Sequence, residues 1–410
     1  MNKKLADELF FSKEAACYLG ITTQRLNTLV KDGKIIPLKK SESGTIFHIT
    51  ELNKRKEEQK IFSRVGQGGG VGMFRFDTDD KKEALNFATL INVLGITEQR
   101  LDPIFSEFSE KVDVTIFLDA DSVIKQYADY FKVDAKRLIT EFNIAKLAFS
   151  NLHETDEIIK RGNQDYPPLL AATAQAPRFL YLRGKKSLLF EKRTVALVGS
   201  RKASDKAKDN TRRLTVKLGD NGITIVSGLA KGIDVTAHSE ALKNGYNTIA
   251  VIGTNLNQYY PAANKEVQLT IEKKGLVVSQ FSPANKTQRW FFPMRNGVMS
   301  GLSLATVVME AGETSGALKQ ADYALKQGRE VLIPQSALKM KSISWPAKYV
   351  KKGAKVVTYP RDVLEILAES NIFKIDKKCK QQTIEDLLQT DESEKKAAKI
   401  KWIDQIPDGE

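Results

Sequence analysis

The chain has 410 residues, 41% hydrophobic and 28% charged, and its 64 Lys plus Arg against 50 Asp plus Glu leave a net charge of +14. That length holds two or three cores, and that charge favours polyanionic partners such as nucleic acid. Cys17 and Cys379, near opposite ends, argue against a disulfide framework or structural zinc; no apolar run nears the ~18 residues of a membrane helix and residues 1–11 lack a signal-peptide core, so a reducing cytoplasm is expected.

Residues 1–60 contain FFSKEAACYLGITTQRLNTLVKDGKIIPLKKSESGTIFHITEL, which predicts a helix, a tight turn at Gly20, a second helix and a two-stranded wing. Ala15, Ala16 and Leu19 would face Leu26, Leu29 and Val30, as a helix-turn-helix requires. Its second helix offers Thr22, Thr23, Gln24, Arg25, Asn27, Thr28 and Lys31, residue types suited to phosphate and base edges. This segment resembles the MerR/excisionase type of winged helix; the same small fold also serves as a protein-docking module, and the face is otherwise a solvated polar one.

Residues 61–78 form a linker whose GQGGGVG run at 66–72 is too glycine-rich for a packed element. Residues 79–160 carry helical apolar spacing (Leu85, Ala88, Leu90; Ile124, Tyr127, Tyr130; Leu138, Phe142, Ile144, Leu147) and no chemical motif, which predicts a small helical domain. The stretch DYPPLLAATAQAPRFLYLRGKKSLL then reads as an extended lead-in to an α/β domain over 161–370. Its strand candidates are TVALVG, TIVS, NTIAVIG, GLVVS, ATVVM, REVLIP and GAKVVT, alternating with helical patterns as in a parallel sheet. Ala207, Thr211, Leu214 and Leu218 mark one crossover helix, and Ile233, Ala237, Ala241 and Leu242 a second. Residues 371–410 are a polar tail with one apolar cluster at Ile384, Leu387 and Leu388, and no fold is assigned to it.

Chemistry concentrates at the strand ends of the α/β domain. VALVG followed by SRKAS places Gly199, Ser200, Arg201 and Lys202 at a strand-to-helix turn, where free N–H groups and a guanidinium attract phosphate; the alternative is an ordinary turn with surface cations. SGLAKGIDVTAHSEAL repeats the pattern with Ser227, Gly228, Lys231 and Gly232, and two such loops would form one anion-binding floor. Asp234 and His238 lie one helical turn apart, either as an acid–base pair or as a helix-start carboxylate near a helix-face histidine. Tyr259, Tyr260 and Pro261 either stack on bases or pack their own corner. KTQRWFFPMRNGVMSGLS interleaves Lys286, Arg289, Trp290, Phe291, Phe292, Arg295 and Asn296, charge for a backbone and rings for bases, with at least one ring required by the core. Finally, VVMEAGETSGALKQADYAL brings Glu310, Thr314, Ser315 and Gly316 to a helix start, for phosphate or ribose contact or for capping.

With these blocks in hand, residues 165–367 are identified as similar to the DNA processing protein A (DprA/Smf) family. The likeness rests on VALVGSR, IVSGLAKGIDVTAHSEAL, TIAVIG with YYPAAN, FP-x-RN with SGLS, SGALKQADYAL with GREVLIP, and KKGAKVVTYPRDVLEIL. The resemblance implies an extended Rossmann-like domain that binds single-stranded DNA without sequence preference, forms a homodimer and hands the strand to a RecA-like recombinase. It implies no catalysis, metal or cofactor, and no membrane partner. On that model Arg201 meets phosphate, Gly199, Ser200, Lys202, Ser227, Gly228 and Lys231 line the same pocket, and Lys286, Arg289, Phe292, Arg295, Asn296, Ser315 and Gly316 continue it. The N-terminal module would dock on duplex DNA or a protein partner. Where the family reads RNR this chain has Gly297; Gln280 and Gln335 replace its Glu and Gly, and SISWPAKYV replaces a Gly-Asn-Leu-Ile run. Two other readings stay open: a nucleotide sensor or hydrolase using Glu310, and a ligand-responsive transcription regulator.

Overall fold

The computed structural model describes residues 9–19, 21–31, 35–41, 44–53, 55, 74–340 and 342–369. The turn at Gly20, the glycine run 66–72 and the tail from 371 lie outside them.

Near the N-terminus, strands β1 (Leu9–Phe11), β2 (Lys39–Ser41) and β3 (Gly44–His48) form an antiparallel sheet in the order β1-β3-β2. One strand more than the sequence pattern predicts is present, because Phe10 pairs with Phe47 across a separation too long for local signals to reveal. Helices Ser12–Tyr18 and Thr23–Lys31 bury Ala15, Ala16, Leu19, Leu26 and Leu29 together with Ile35, Phe47 and Leu52. Helix Ser12–Tyr18 also packs against helix Ala135–Phe149.

Four helices follow, Asp79–Leu94, Glu98–Ser109, Ile124–Phe131 and Ala135–Phe149. Thr78 and Asp134 cap the first and last by accepting from the N–H groups of Lys81 and Arg137, and Gly95 ends the first in the left-handed region at φ +64°.

The main sheet has nine strands: β4 (Glu157–Lys160), β5 (Phe179–Gly184), β6 (Thr194–Gly199), β7 (Thr224–Ser227), β8 (Thr248–Val251), β9 (Leu276–Ser279), β10 (Ala305–Glu310), β11 (Glu330–Pro334) and β12 (Lys355–Val357). Their order is β12-β11-β10-β6-β7-β8-β9-β5-β4, parallel from β12 to β9 and antiparallel at β5 and β4. The seven parallel strands fall where the apolar runs predict them. The antiparallel pair differs from expectation: FLYLRG is a strand rather than an extended lead-in, and EIIK, at the end of the predicted helical segment, is the sheet's edge.

Alternate residues of each central strand face opposite layers. Ala196, Val198, Val226, Val251 and Val308 pack with Val298, Leu318 and Ala321 on one side; Val195, Leu197, Ile225 and Val307 pack with Leu214, Leu218, Ala237 and Val363 on the other. Burial on both faces explains why these strands read as continuous apolar runs. At the β8-β9-β5 end the second layer is the helical bundle itself, whose Phe87, Phe105 and Phe142 join Ala250, Val277, Phe179 and Tyr181 in one cluster. Fully burying one such aliphatic side chain is worth about 1.5–3 kcal/mol.

Arg178 joins the bundle to the sheet. Its Nε and Nη2 donate to Glu83 at 3.0 and 2.7 Å, its Nη1 donates to Asp102 at 2.8 Å, and its guanidinium lies over the Phe105 ring at 4.9 Å. Lys160 and Arg161 complete the network on Glu83 and Asp102. Among the described residues no helix is long and apolar enough to cross a membrane.

Candidate nucleic-acid interface

The chain lays β6 to β9 on one side and returns to lay β10 to β12 on the other, so the strand order reverses between β6 and β10. Open α/β sheets bind ligands at the carboxyl ends of the strands beside such a reversal. Here Gly199 ends β6 and Glu310 ends β10. A Cβ on Gly199 would lie 2.5 Å from Ile233 Cγ1 and 2.9 Å from the Glu310 carbonyl oxygen, so the turn is closed to any larger residue.

Glu310 is committed inside this turn. Its carbonyl accepts from the Ser200 N–H at 2.7 Å, and its carboxylate accepts from Ser204 N at 3.0 Å and Ser204 Oγ at 2.6 Å. Ser204 in turn caps helix Asp205–Asp220. The helix N-terminus that takes a nucleotide phosphate in many folds of this class therefore already carries a carboxylate. Ser200 Oγ accepts from Lys202 N at 3.1 Å, and the side chains of Arg201 and Lys202 project into solvent.

The loop after β7 abuts this turn. Gly232, at φ +81°, brings its α-carbon so close that a Cβ would lie 2.2 Å from the Ser200 carbonyl oxygen, and Ile233 N donates to the same oxygen at 3.4 Å. Lys231 is exposed, while Ser227 is buried with its Oγ donating to Leu197 O at 2.6 Å. Leu229 is buried in the left-handed region at φ +56°, and its carbonyl accepts from Asn264 Nδ2 at 2.8 Å. Asp234 and His238 have separate partners. The carboxylate of Asp234 accepts from Ala230 N at 3.4 Å, whereas His238 Nδ1 faces Thr248 Oγ1 at 2.8 Å. Burial lowers the His238 pKa to about 3, leaving the ring neutral at neutral pH, and burial raises that of Asp234 against the opposing field of Arg295.

Helix Phe291–Gly301 crosses the strand ends and supplies the rings. Phe291 stacks on Phe281 with centroids 3.9 Å apart, so it is the ring given to packing. Phe292 sits over Gly253, where a Cβ would lie 2.6 Å from its Cδ1; it also meets Tyr260 at 5.1 Å and the Arg201 guanidinium at 6.0 Å. Trp290 and Tyr260 stay about half exposed, at 53% and 51%. Tyr259 is half-buried with Lys265 over its ring. Lys286 and Arg289 are exposed in the segment leading into this helix. Among the described residues none of Arg201, Lys202, Lys231, Lys286 and Arg289 forms an ion pair.

Four of the predicted contacts lie beneath that surface, among them Gly228, which is buried against Arg295. Arg295 is buried and its Nη1 donates to the Val251 carbonyl. Asn296 is buried with Nδ2 donating to Gly316 O at 3.2 Å, and Ser227 is occupied as described. Gly297 faces Gln175 in the interior, a Cβ there lying 2.7 Å from Gln175 Cγ, so its lack of charge bears on packing at this point. Ser315 caps helix Gly316–Lys326 by accepting from Ala317 N at 3.3 Å, and Gly316 is exposed at its start. In the N-terminal module Thr22, Thr23, Gln24, Arg25, Asn27, Thr28 and Lys31 are all exposed. Among the described residues no group of three His, Cys, Asp or Glu side chains is placed to hold a metal ion.

The sequence reading missed the Glu310–Ser204 tie, the Asn264 prop under Leu229 and the Arg295–Asp234 neighbourhood. One signal was present, since glycines 228 and 232 mark points where backbone must approach something closely.

A doubly covered α/β sheet with this order of strands, whose reversal point joins two glycine loops, defines a Rossmann-like α/β domain. The model of the family described as DNA recombination-mediator protein A matches residues 157–368, and the chain belongs to that family. It is 36% identical over 279 residues to DNA processing protein DprA of Streptococcus pneumoniae, covering 66% of this chain and 93% of that one. It is 35% identical over 210 residues to the DprA of Bacillus subtilis, covering 51% and 71% respectively. The X-ray structure of the Streptococcus pneumoniae DprA superposes with a TM-score of 0.57 at 31% identity, covering 70% of this chain and 97% of that one.

Proposed function

We propose that the carboxyl edge of this sheet binds single-stranded DNA without sequence preference, and that the protein, as a homodimer, passes the strand to a RecA-like recombinase. The observation that carries the reading is five exposed cations, Arg201, Lys202, Lys231, Lys286 and Arg289, with no carboxylate partner among the described residues, beside the half-exposed Trp290 and Tyr260. Charge that tracks a backbone next to rings that accept any base is the recognition chemistry of unpaired strands. The family's description as a recombination mediator supports the recombinase step. Both carboxylate oxygens of Glu310 are engaged by Ser204, which supports a capping role for this residue and favours binding over catalysis.

The exposed Thr22–Lys31 face of the N-terminal module is proposed to dock on duplex DNA in the manner of a winged helix. Removing residues 1–60 is expected to abolish duplex binding and leave oligo-dT binding within about twofold; loss of both would make the module the principal DNA site. The single-strand reading is tested by the salt dependence of oligo-dT affinity, whose log–log slope is near −0.7 per neutralised phosphate. Arg201→Glu combined with Arg289→Glu is expected to weaken binding at least ~10-fold at low salt and to flatten that slope. Unchanged affinity and slope in the folded double variant would overturn the proposal.

A further inference from the structure

The loop from Gly228 to Gly232 is held from underneath by a charged side chain that never reaches the surface. Arg295 is 5% exposed, and a Cβ on Gly228 would lie only 1.9 Å from its Nη1, so the loop backbone rests directly on the guanidinium. Nη1 is anchored to the Val251 carbonyl, at the end of the next strand. The carboxylate of Asp234, which feels the field of Arg295, reaches the loop from its other end through Ala230 N. Between these supports Leu229 adopts a left-handed conformation that residues bearing a side chain rarely take, so the loop's shape is imposed by its surroundings. Burial lowers the guanidinium pKa to about 10, which leaves the group charged at neutral pH.

We infer that Arg295 is a positioning residue: its buried guanidinium sets the shape of the Gly228–Gly232 loop, and with it the backbone seat and the Lys231 charge offered to phosphate, without touching the strand. The inference deepens the single-strand reading above and rests on it. It separates two classes of arginine in the site. Arg201 neutralises phosphate at the surface, while Arg295 acts through the loop.

The experiment compares full-length Arg295→Gln and Arg201→Gln with the parent by oligo-dT affinity across a salt series, together with amide hydrogen exchange at residues 229–232 in the absence of DNA. Arg295→Gln is expected to lower affinity at least ~10-fold with the salt slope unchanged and to speed exchange in the loop. Arg201→Gln is expected to reduce the slope by about 0.7 and leave loop exchange as in the parent. Gly228→Ala approaches the contact from the other side and is expected to reproduce the Arg295→Gln behaviour, with the double variant no worse than either single one. This holds the test open if Arg295→Gln fails to fold. A slope reduced by about 0.7 in Arg295→Gln would make Arg295 a direct phosphate contact and overturn the inference, as would parental exchange rates in the loop. Parental protein that ignores oligo-dT altogether would sink the single-strand reading instead, and the exchange data alone would then decide whether Arg295 shapes the loop.

Discussion

At the scale of single residues, the site is built by close approach. Gly199, Gly228, Gly232 and Gly253 each stand where a Cβ would enter a neighbouring group, and Gly232 has in addition a backbone conformation that disfavours side chains. Because its missing Cβ would lie 2.2 Å from the Ser200 carbonyl, Gly232→Ala must push the loops after β6 and β7 apart. The expected outcome is a loss of at least ~2 kcal/mol in chemical denaturation, with oligo-dT affinity falling more than a surface alanine substitution would cause. Residue types announced this much: a basic residue in a glycine loop next to a strand end suits phosphate, with an ordinary turn as the alternative. They did not announce depth. Arg201 and Arg295 look alike as letters, and only packing puts one in solvent and the other under Gly228.

At the scale of elements, the segment SISWPAKYV shows how a local departure from the family pattern is absorbed. It forms helix Trp345–Lys351, whose first turn is capped by the Glu313 carboxylate, and it buries Trp345 with Nε1 donating to Ala311 O at 2.7 Å. Tyr349 from the next turn donates to Leu318 O at 2.9 Å and meets Asp322 at the same distance. The helix thus clamps the loop that leaves β10 and the start of helix Gly316–Lys326. Trp345→Ala opens a large cavity and frees the Ala311 carbonyl, so a loss of about 3–5 kcal/mol is expected in the urea midpoint. A loss below ~1 kcal/mol would mean the segment is peripheral. The parallel strands of this domain were legible because burial on both faces leaves a continuous apolar run. β4 and β5 were not. Their antiparallel pairing joins Glu157 to Leu182 and Lys160 to Phe179, and neither short segment alone separates from a loop.

At the scale of the molecule, the helical bundle and the sheet share one apolar cluster and one buried ionic network, so they stand or fall together. Glu98 sits at that junction, lining a cleft with Phe87, Phe179, Tyr181 and Gln280 and accepting from the Arg178 N–H. Burial raises its carboxyl pKa from 4.5 to about 7, with the field of Asp102 adding to the rise and the Arg178 N–H and the nearby arginines opposing it. A carboxyl that titrates higher in the folded state than in the unfolded one favours folding when protonated. Its contribution is complete below pH ~4.5 and lost as pH rises through about 7, amounting to at most ~3 kcal/mol. Glu98→Gln is therefore expected to reduce the fall in stability between pH 5 and 8 relative to the parent, read from paired denaturation curves. Parallel pH profiles for the two proteins would remove Glu98 from the junction's energetics.

By itself, the amino-acid sequence determined the order of parallel strands and crossover helices, the glycine loops at their ends and the excess of positive charge. Those properties are local: apolar periodicity, turn chemistry and composition act over a few residues and need no partner to be read. Tertiary structure alone decided that Arg295, Asn296 and Ser227 lie beneath the proposed DNA surface, that Glu310 reaches the N-terminus of helix Asp205–Asp220, and that Arg178 ties the bundle to the sheet edge. Each of those outcomes depends on which of two similar polar side chains wins a buried partner. That competition is settled only when segments between 20 and 106 residues apart in the chain are brought within hydrogen-bond distance of each other.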